Sequence, residues 1–139
     1  MRNLMLVFFA LAGFCKGLAL LLAPDAIQSL PWDSSGAQLA VSAQAILAGL
    51  GILYASSASR LPRLVRCFGI YALCAGIAHG VMPAAMWSAT ISVSIGFAGD
   101  HPVIAAALSA VVSAVLLWSA VGPRSPEPVG AASLEAMGA

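Results

Sequence analysis

Residues 4–23 read LMLVFFALAGFCKGLALLLA, a run in which only Lys16 carries a charge. A hydrocarbon core of about 30 Å is crossed by about 20 apolar residues of α-helix, so this stretch has spanning length. Residues 37–56, 64–82 and 102–121 repeat the pattern. Prolines punctuate them: Pro24 and Pro31 after the first, Pro62 in the turn between the second and third, Pro83 after the third, and Pro102 in the first turn of the fourth. Proline removes a backbone donor and turns the residue before it away from helix. The expected fold class is therefore all-α, an integral membrane bundle of four transmembrane helices. A lipid-exposed strand would leave backbone groups unpaired, and the alternating ten-residue segments of a membrane barrel are absent.

Composition agrees. The 139 residues are 61% hydrophobic and 8% charged, with a mean hydropathy of +0.99, against about 45–50% apolar and about 25% charged in a soluble domain. A net charge of +1 gives no electrostatic footprint for nucleic acid. The three cysteines, Cys15, Cys67 and Cys74, fall inside apolar runs without CxxC spacing and define no disulfide framework. Arg2 followed by an apolar run also resembles a secretory signal, but the run continues beyond Lys16 well past the 7–15 residues of such a core. The bulky Phe14 before Cys15 argues against a lipoprotein signal. The segment is read as a retained helix.

Basic residues set the orientation. Arg2, Arg60, Arg63, Arg66 and Arg124 all fall on the side of the termini and of the second connection, whereas the first and third connections carry Asp25, Asp33 and Asp100 without Lys or Arg. Lys and Arg accumulate in cytoplasmic loops, so both termini are expected in the cytoplasm and the protein in the cell inner membrane. Trp32 and Trp87 then belong to the outer interface, Trp118 and Tyr54 to the inner one. Residues 84–99 are apolar but short of a span, leaving an interfacial helix, a re-entrant piece and a packed loop as alternatives. Residues 122–139, rich in Pro, Gly, Ala and Ser, are expected to form a disordered cytoplasmic tail.

Small residues at intervals of four mark the packing faces: Gly13 and Gly17; Ala45 and Gly49; Ala72, Gly76 and Gly80; Ala105, Ser109 and Ser113. In lipid, where apolar helices gain little from hiding apolar surface, such residues let backbones approach closely. They also suit a homo-oligomer or a larger membrane complex.

Lys16 lies beside Gly17, seven residues from Ala23 and hence about 10 Å below the end of its span. Gln44 and Ser109 lie about as deep in their helices and His79 somewhat shallower, so Lys16, Gln44, His79 and Ser109 are expected to form one polar layer in the outer half. Gln44 shares a helical face with Ala48 and Gly51, and His79 shares one with Ala72 and Gly76. A charged amine at the bilayer centre costs about 2.5–3.5 kcal/mol on insertion scales. Two readings of Lys16 stay open: a stem that bends outward to the headgroups or makes a structural hydrogen bond, and a group that pairs with a ligand or ion, with Asp25, Asp33 and Asp100 on the outer side as candidate partners within the chain.

Catalytic signatures are absent: no HExxH, P-loop, GxSxG or dinucleotide fingerprint occurs. Cys74 and His79 diverge around their helix, which argues against a soft-metal site. No metal site, no cofactor and no enzymatic activity are expected.

GLALLLAP at 17–24, AILAGLGILY at 45–54 and the basic connection leading into RCFGIYALCAG at 66–76 resemble the small four-helix bacterial inner-membrane proteins of the DoxX-like kind and related families of unknown function. The resemblance covers about the first 85 residues and most of the fourth span. It implies a compact helical module acting alone or as an accessory to a larger assembly, and it carries over no functional residue. The sequence thus favours a non-enzymatic accessory, assembly or stabilising module in the bilayer. The alternative is a small carrier or binding protein whose outward pocket around Lys16 takes a lipid, quinone or ion.

Overall fold

The computed structural model describes residues 2–121. The expected tail at 122–139 lies outside them. Six helices follow one another: α1 (Arg2–Leu22), α2 (Pro24–Gln28), α3 (Ser35–Ser56), α4 (Pro62–Val81), α5 (Ala84–Asp100) and α6 (Pro102–Val121). No strand occurs among the described residues. α1, α3, α4 and α6 are each long and apolar enough to cross a membrane, and the chain is a multi-pass membrane protein.

The prolines explain the boundaries. Ala23, Leu61, Met82 and His101 each precede a proline, and each leaves the helical region, with φ/ψ of −142°/56°, −119°/66°, −68°/133° and −131°/57°. Pro24, Pro62 and Pro102 then open new helices, where their missing N–H costs nothing. Pro62 belongs to the first turn of α4, not to the preceding connection. α3 has a side-chain cap instead: the Ser34 hydroxyl accepts from the Ala37 N–H at 3.1 Å.

The four long helices assemble as two antiparallel pairs. α3 lies against α4 along a seam of near-touching backbones: a Cβ on Gly49 would stand 2.6 Å from the Leu73 nitrogen and 2.9 Å from the Gly69 oxygen, and one on Gly76 would stand 2.8 Å from the Ile46 nitrogen. α1 lies against α6, where Gly13 faces Ser113 and Gly17 faces Ser109 and Ala106. The expected faces at Gly13, Gly17, Gly49, Gly76, Ser109 and Ser113 are all contact surfaces. Gly80 sits against the Ser42 hydroxyl, Ala45 and Ala72 are half-buried on the α3–α4 pair, and the residue opposite Gly17 is Ala106, one position on from the half-buried Ala105.

The pairs meet at one end. Their shared core is Leu6, Ala10, Ile52, Ala55, Val65, Leu116 and Ala120, with Val7, Phe9 and Phe68 packed on it. All of these lie toward the face that carries the α3–α4 connection and the starts and ends of α1 and α6. The same end is fastened by polar contacts: the Asn3 side-chain amide donates to the Ala120 carbonyl at 3.0 Å, the Arg60 N–H donates to the Ser119 carbonyl at 2.9 Å, and the Arg60 guanidinium stands 5.0 Å from the Trp118 ring centre.

At the opposite face the chain builds a cap. α5 is a 17-residue helix, about 25 Å long, and it fills the stretch 84–99 whose conformation the sequence leaves open. It starts beside the end of α4 and finishes beside the start of α6, so both its ends lie on one side and it does not cross. It runs antiparallel to the 24–34 connection. The Trp87 indole donates to the Trp32 carbonyl at 2.9 Å, and Gly99 packs against the Gln28 side chain at the other end.

Candidate functional site

The cluster shared by the two helix pairs is confined to one half of the molecule, while two further buried apolar side chains, Leu20 and Trp87, stand toward the capped end. Members of the cluster stand at least about 12 residues from the capped end of their own helix, Ala10 against Leu22 and Leu116 against Pro102 being the nearest, which is about 18 Å at 1.5 Å per residue. Lys16, Gln44, His79 and Ser109 all stand nearer that end. The shared cluster and the polar layer therefore occupy separate halves.

Lys16 and Gln44 are brought onto facing lines. On α1, Phe9 and Met5 reach across to α3: a Cβ on Gly51 would stand 2.6 Å from the Phe9 ring and 3.4 Å from the Met5 methyl. Lys16 follows Phe9 by seven residues, two helical turns less about 20°, and so lies on the same line of α1. Gln44 precedes Gly51 by seven and lies on the corresponding line of α3. The helices run antiparallel, so both residues are displaced the same way from the Phe9–Gly51 contact, about 10 Å toward the cap. Both are exposed. The shared cluster ends at Ala10 and Ile52, and Lys16 and Gln44 flank the α1–α3 seam above Phe9. One turn below them lie Ala12 and Ala48, the small side chains that line the seam above Phe9.

Among the described residues no hydrogen bond or ion pair engages the Lys16 ammonium or the Gln44 amide. The acidic residues of the described chain, Asp25, Asp33 and Asp100, all belong to the cap. No carboxylate lies in any of the four long helices.

The other two members of the layer are placed differently. Ser109 is half-buried against Gly17, closing the α1–α6 side. His79 shares the line of Ala72 and Phe68 on α4, and Phe68 packs on the central core. Its ring meets the buried Trp87 edge to face, 5.6 Å between centres, and its Nδ1 is buried without a hydrogen-bond partner. His79 thus stands under α5, facing inward, with Trp87, only 1% exposed, as the link between layer and cap. Lys16 and Gln44 stand on facing lines of α1 and α3, and Ser109 and His79 lie on the inner sides of the two remaining helices.

Three contributors lie outside the sequence expectation. Gln38 donates through its amide to the carbonyls of His79 and Met82, both at 2.8 Å, satisfying the end of α4 where intrahelical partners run out. The Ser42 hydroxyl donates to the Gly76 carbonyl at 2.7 Å and is buried. Trp87 anchors α5. Gln38 and Ser42 sit two turns and one turn before Ala45 on α3, and Ser42, seven residues before Gly49, falls on the line of that glycine; Trp87 carries no comparable signal. The cysteines are free and exposed on the bundle surface. Among the described residues no three His, Cys, Asp or Glu side chains come together as a metal-ligand set.

No family model matches the chain, and neither a curated protein nor a solved structure matches it.

Proposed function

We propose that the chain is a non-enzymatic inner-membrane protein that holds a ligand of the lipid, quinone or ion class in the seam between its two helix pairs, around Lys16 and Gln44. The observation that carries this reading is the confinement of the shared core cluster to one end, which leaves a lysine and a glutamine on facing lines with no hydrogen-bond or ion-pair partner among the described residues. A scaffold has no use for such an arrangement, since a leucine at position 16 would insert at lower cost. The small-residue faces point the same way. They are consumed within the chain, between α3 and α4 and between α1 and α6, and so are not free to join copies together. The basic residues near the uncapped face support a cytoplasmic position for it, which turns the cap and the open seam outward.

A second reading, the accessory module, has one specific observation behind it: an intramembrane ammonium with no carboxylate in the four long helices of its own chain suits an acidic residue on a partner's helix. Mild-detergent purification of the wild type and of Lys16→Met separates the two. The binding reading expects a small molecule that accompanies the wild type and is lost from the variant, with the same protein composition in both. Loss of a co-purifying protein instead, with no change in bound small molecules, overturns it in favour of the accessory module.

A further inference from the structure

We infer that the ligand of the α1–α3 seam is an anionic phospholipid, its phosphodiester held by the Lys16 ammonium and the Gln44 side-chain amide and one acyl chain laid along the seam below them. The inference rests on the binding reading above and adds the chemistry of the ligand.

The donors define the headgroup. Lys16 offers three N–H donors and a full positive charge, and Gln44 can turn its NH₂ toward the same point. Charge-assisted bonds to an oxyanion are the strongest such a pair can make. No ion pair engages Lys16 among the described residues and the four long helices contain no Asp or Glu, so the bilayer is taken as the source of the oxyanion. A zwitterionic lipid brings its own cation with its phosphate and leaves the charge on Lys16 uncompensated. A lipid with net negative charge cancels it.

The depth fits as well. Lys16 is six residues from the end of α1, about 9 Å, and a lysine stem that bends toward the interface places its ammonium near the phosphate level. The two readings of Lys16 then describe one state: the stem rises to the headgroup region and finds the ligand there. Below the donors, Ala12 and Ala48 leave room for a methylene chain, and Phe9 against Gly51 floors the seam. The seam opens sideways to the bilayer, so the lipid enters without crossing the cap.

Native mass spectrometry of the full chain tests this, with phosphatidylglycerol, phosphatidylethanolamine of the same acyl chains, and oleic acid as probes. The three arginines near the uncapped face also attract anionic headgroups, so Arg63→Gln, a change at an exposed residue of the opposite face, serves as the charge control. The expected result is one phosphatidylglycerol retained by the wild type about tenfold over phosphatidylethanolamine, kept by Arg63→Gln and Lys16→Arg, and lost from Lys16→Gln, with Gln44→Ala weakened several-fold. Equal retention of both phospholipids, or retention unchanged in Lys16→Gln, overturns the inference. If oleic acid is the probe retained in a Lys16-dependent way, the phospholipid assignment falls while the binding seam stands; if no probe depends on Lys16 and the purified wild type carries no small molecule, both fall.

Discussion

At Gly49 one added methyl group meets backbone on the opposite helix, and backbone does not swing aside. The methyl carbon would stand 2.6 Å from the Leu73 nitrogen and 2.9 Å from both the Leu73 Cα and the Gly69 oxygen. Gly49→Ala is therefore expected to spread α3 from α4 and destabilise the protein by about 1–3 kcal/mol, the usual range for overpacking, read as an earlier midpoint in detergent-mediated unfolding. Gly96 is the contrast. Nothing lies within 4 Å of its would-be Cβ, and it sits inside a helix, so Gly96→Ala should stabilise by about 0.5–1 kcal/mol in the same assay. From the letters alone these glycines look alike. Spacing of four identifies Gly49, Gly76 and Gly13 as contact residues, and it also joins Gly51, which admits the Phe9 ring, to the buried Ala55, a pair not among the expected faces.

Among the elements, α5 and its seat were the least legible. The four spans could be read because bilayer thickness imposes a length that no tertiary context overrides, and each observed helix falls within about two residues of its expected limits. Residues 84–99 have no such external ruler. Their apolar residues lack a strong helical stripe, because α5 buries Trp87 on one side while Val93, 73% exposed, and Phe97 remain on its surface. What holds α5 is the 24–34 connection, more than fifty residues earlier in the chain, and that partnership has no local signature. The structure predicts a labelling pattern. With Cys15, Cys67 and Cys74 replaced by alanine, single cysteines introduced by Ala84→Cys and Asp100→Cys should react with an impermeant maleimide from one side of the membrane, and one introduced by Arg63→Cys from the other. Reaction of positions 84 and 100 from opposite sides would make α5 a fifth crossing. Gln38→Ala should cost about 1 kcal/mol by freeing two carbonyls at the end of α4, again measured as a lowered unfolding midpoint.

For the whole molecule, depth could be read from the sequence and neighbourhood could not. Counting residues from the helix ends puts Lys16, Gln44 and Ser109 at a common level, since every apolar span starts from the same interface. Which helix lies beside which follows from packing choices spread over many weak contacts, and the pairing of α1 with α6 and of α3 with α4 is visible only in the assembled fold. The facing lines of Lys16 and Gln44 supply a geometric check that involves no ligand. In the cysteine-free background, Lys16→Cys combined with Gln44→Cys should be joined by a short bis-maleimide within one chain, whereas Leu18→Cys with Gln44→Cys, which moves the first cysteine about 200° around α1, should not. Equal yields from the two pairs would mean that the α1–α3 seam is not where Phe9 and Gly51 set it.

A helix laid along one face also gives the protein a taper. α5 and α2 add lateral area in a single leaflet, while among the described residues the other leaflet accommodates the four crossing helices and their short turns. A body of that shape relieves stress where the wider side lies on the convex surface of a bent bilayer. Reconstituted into liposomes with the cap outward, the chain should therefore concentrate in small vesicles over large ones, making membrane curvature a cue to where it resides.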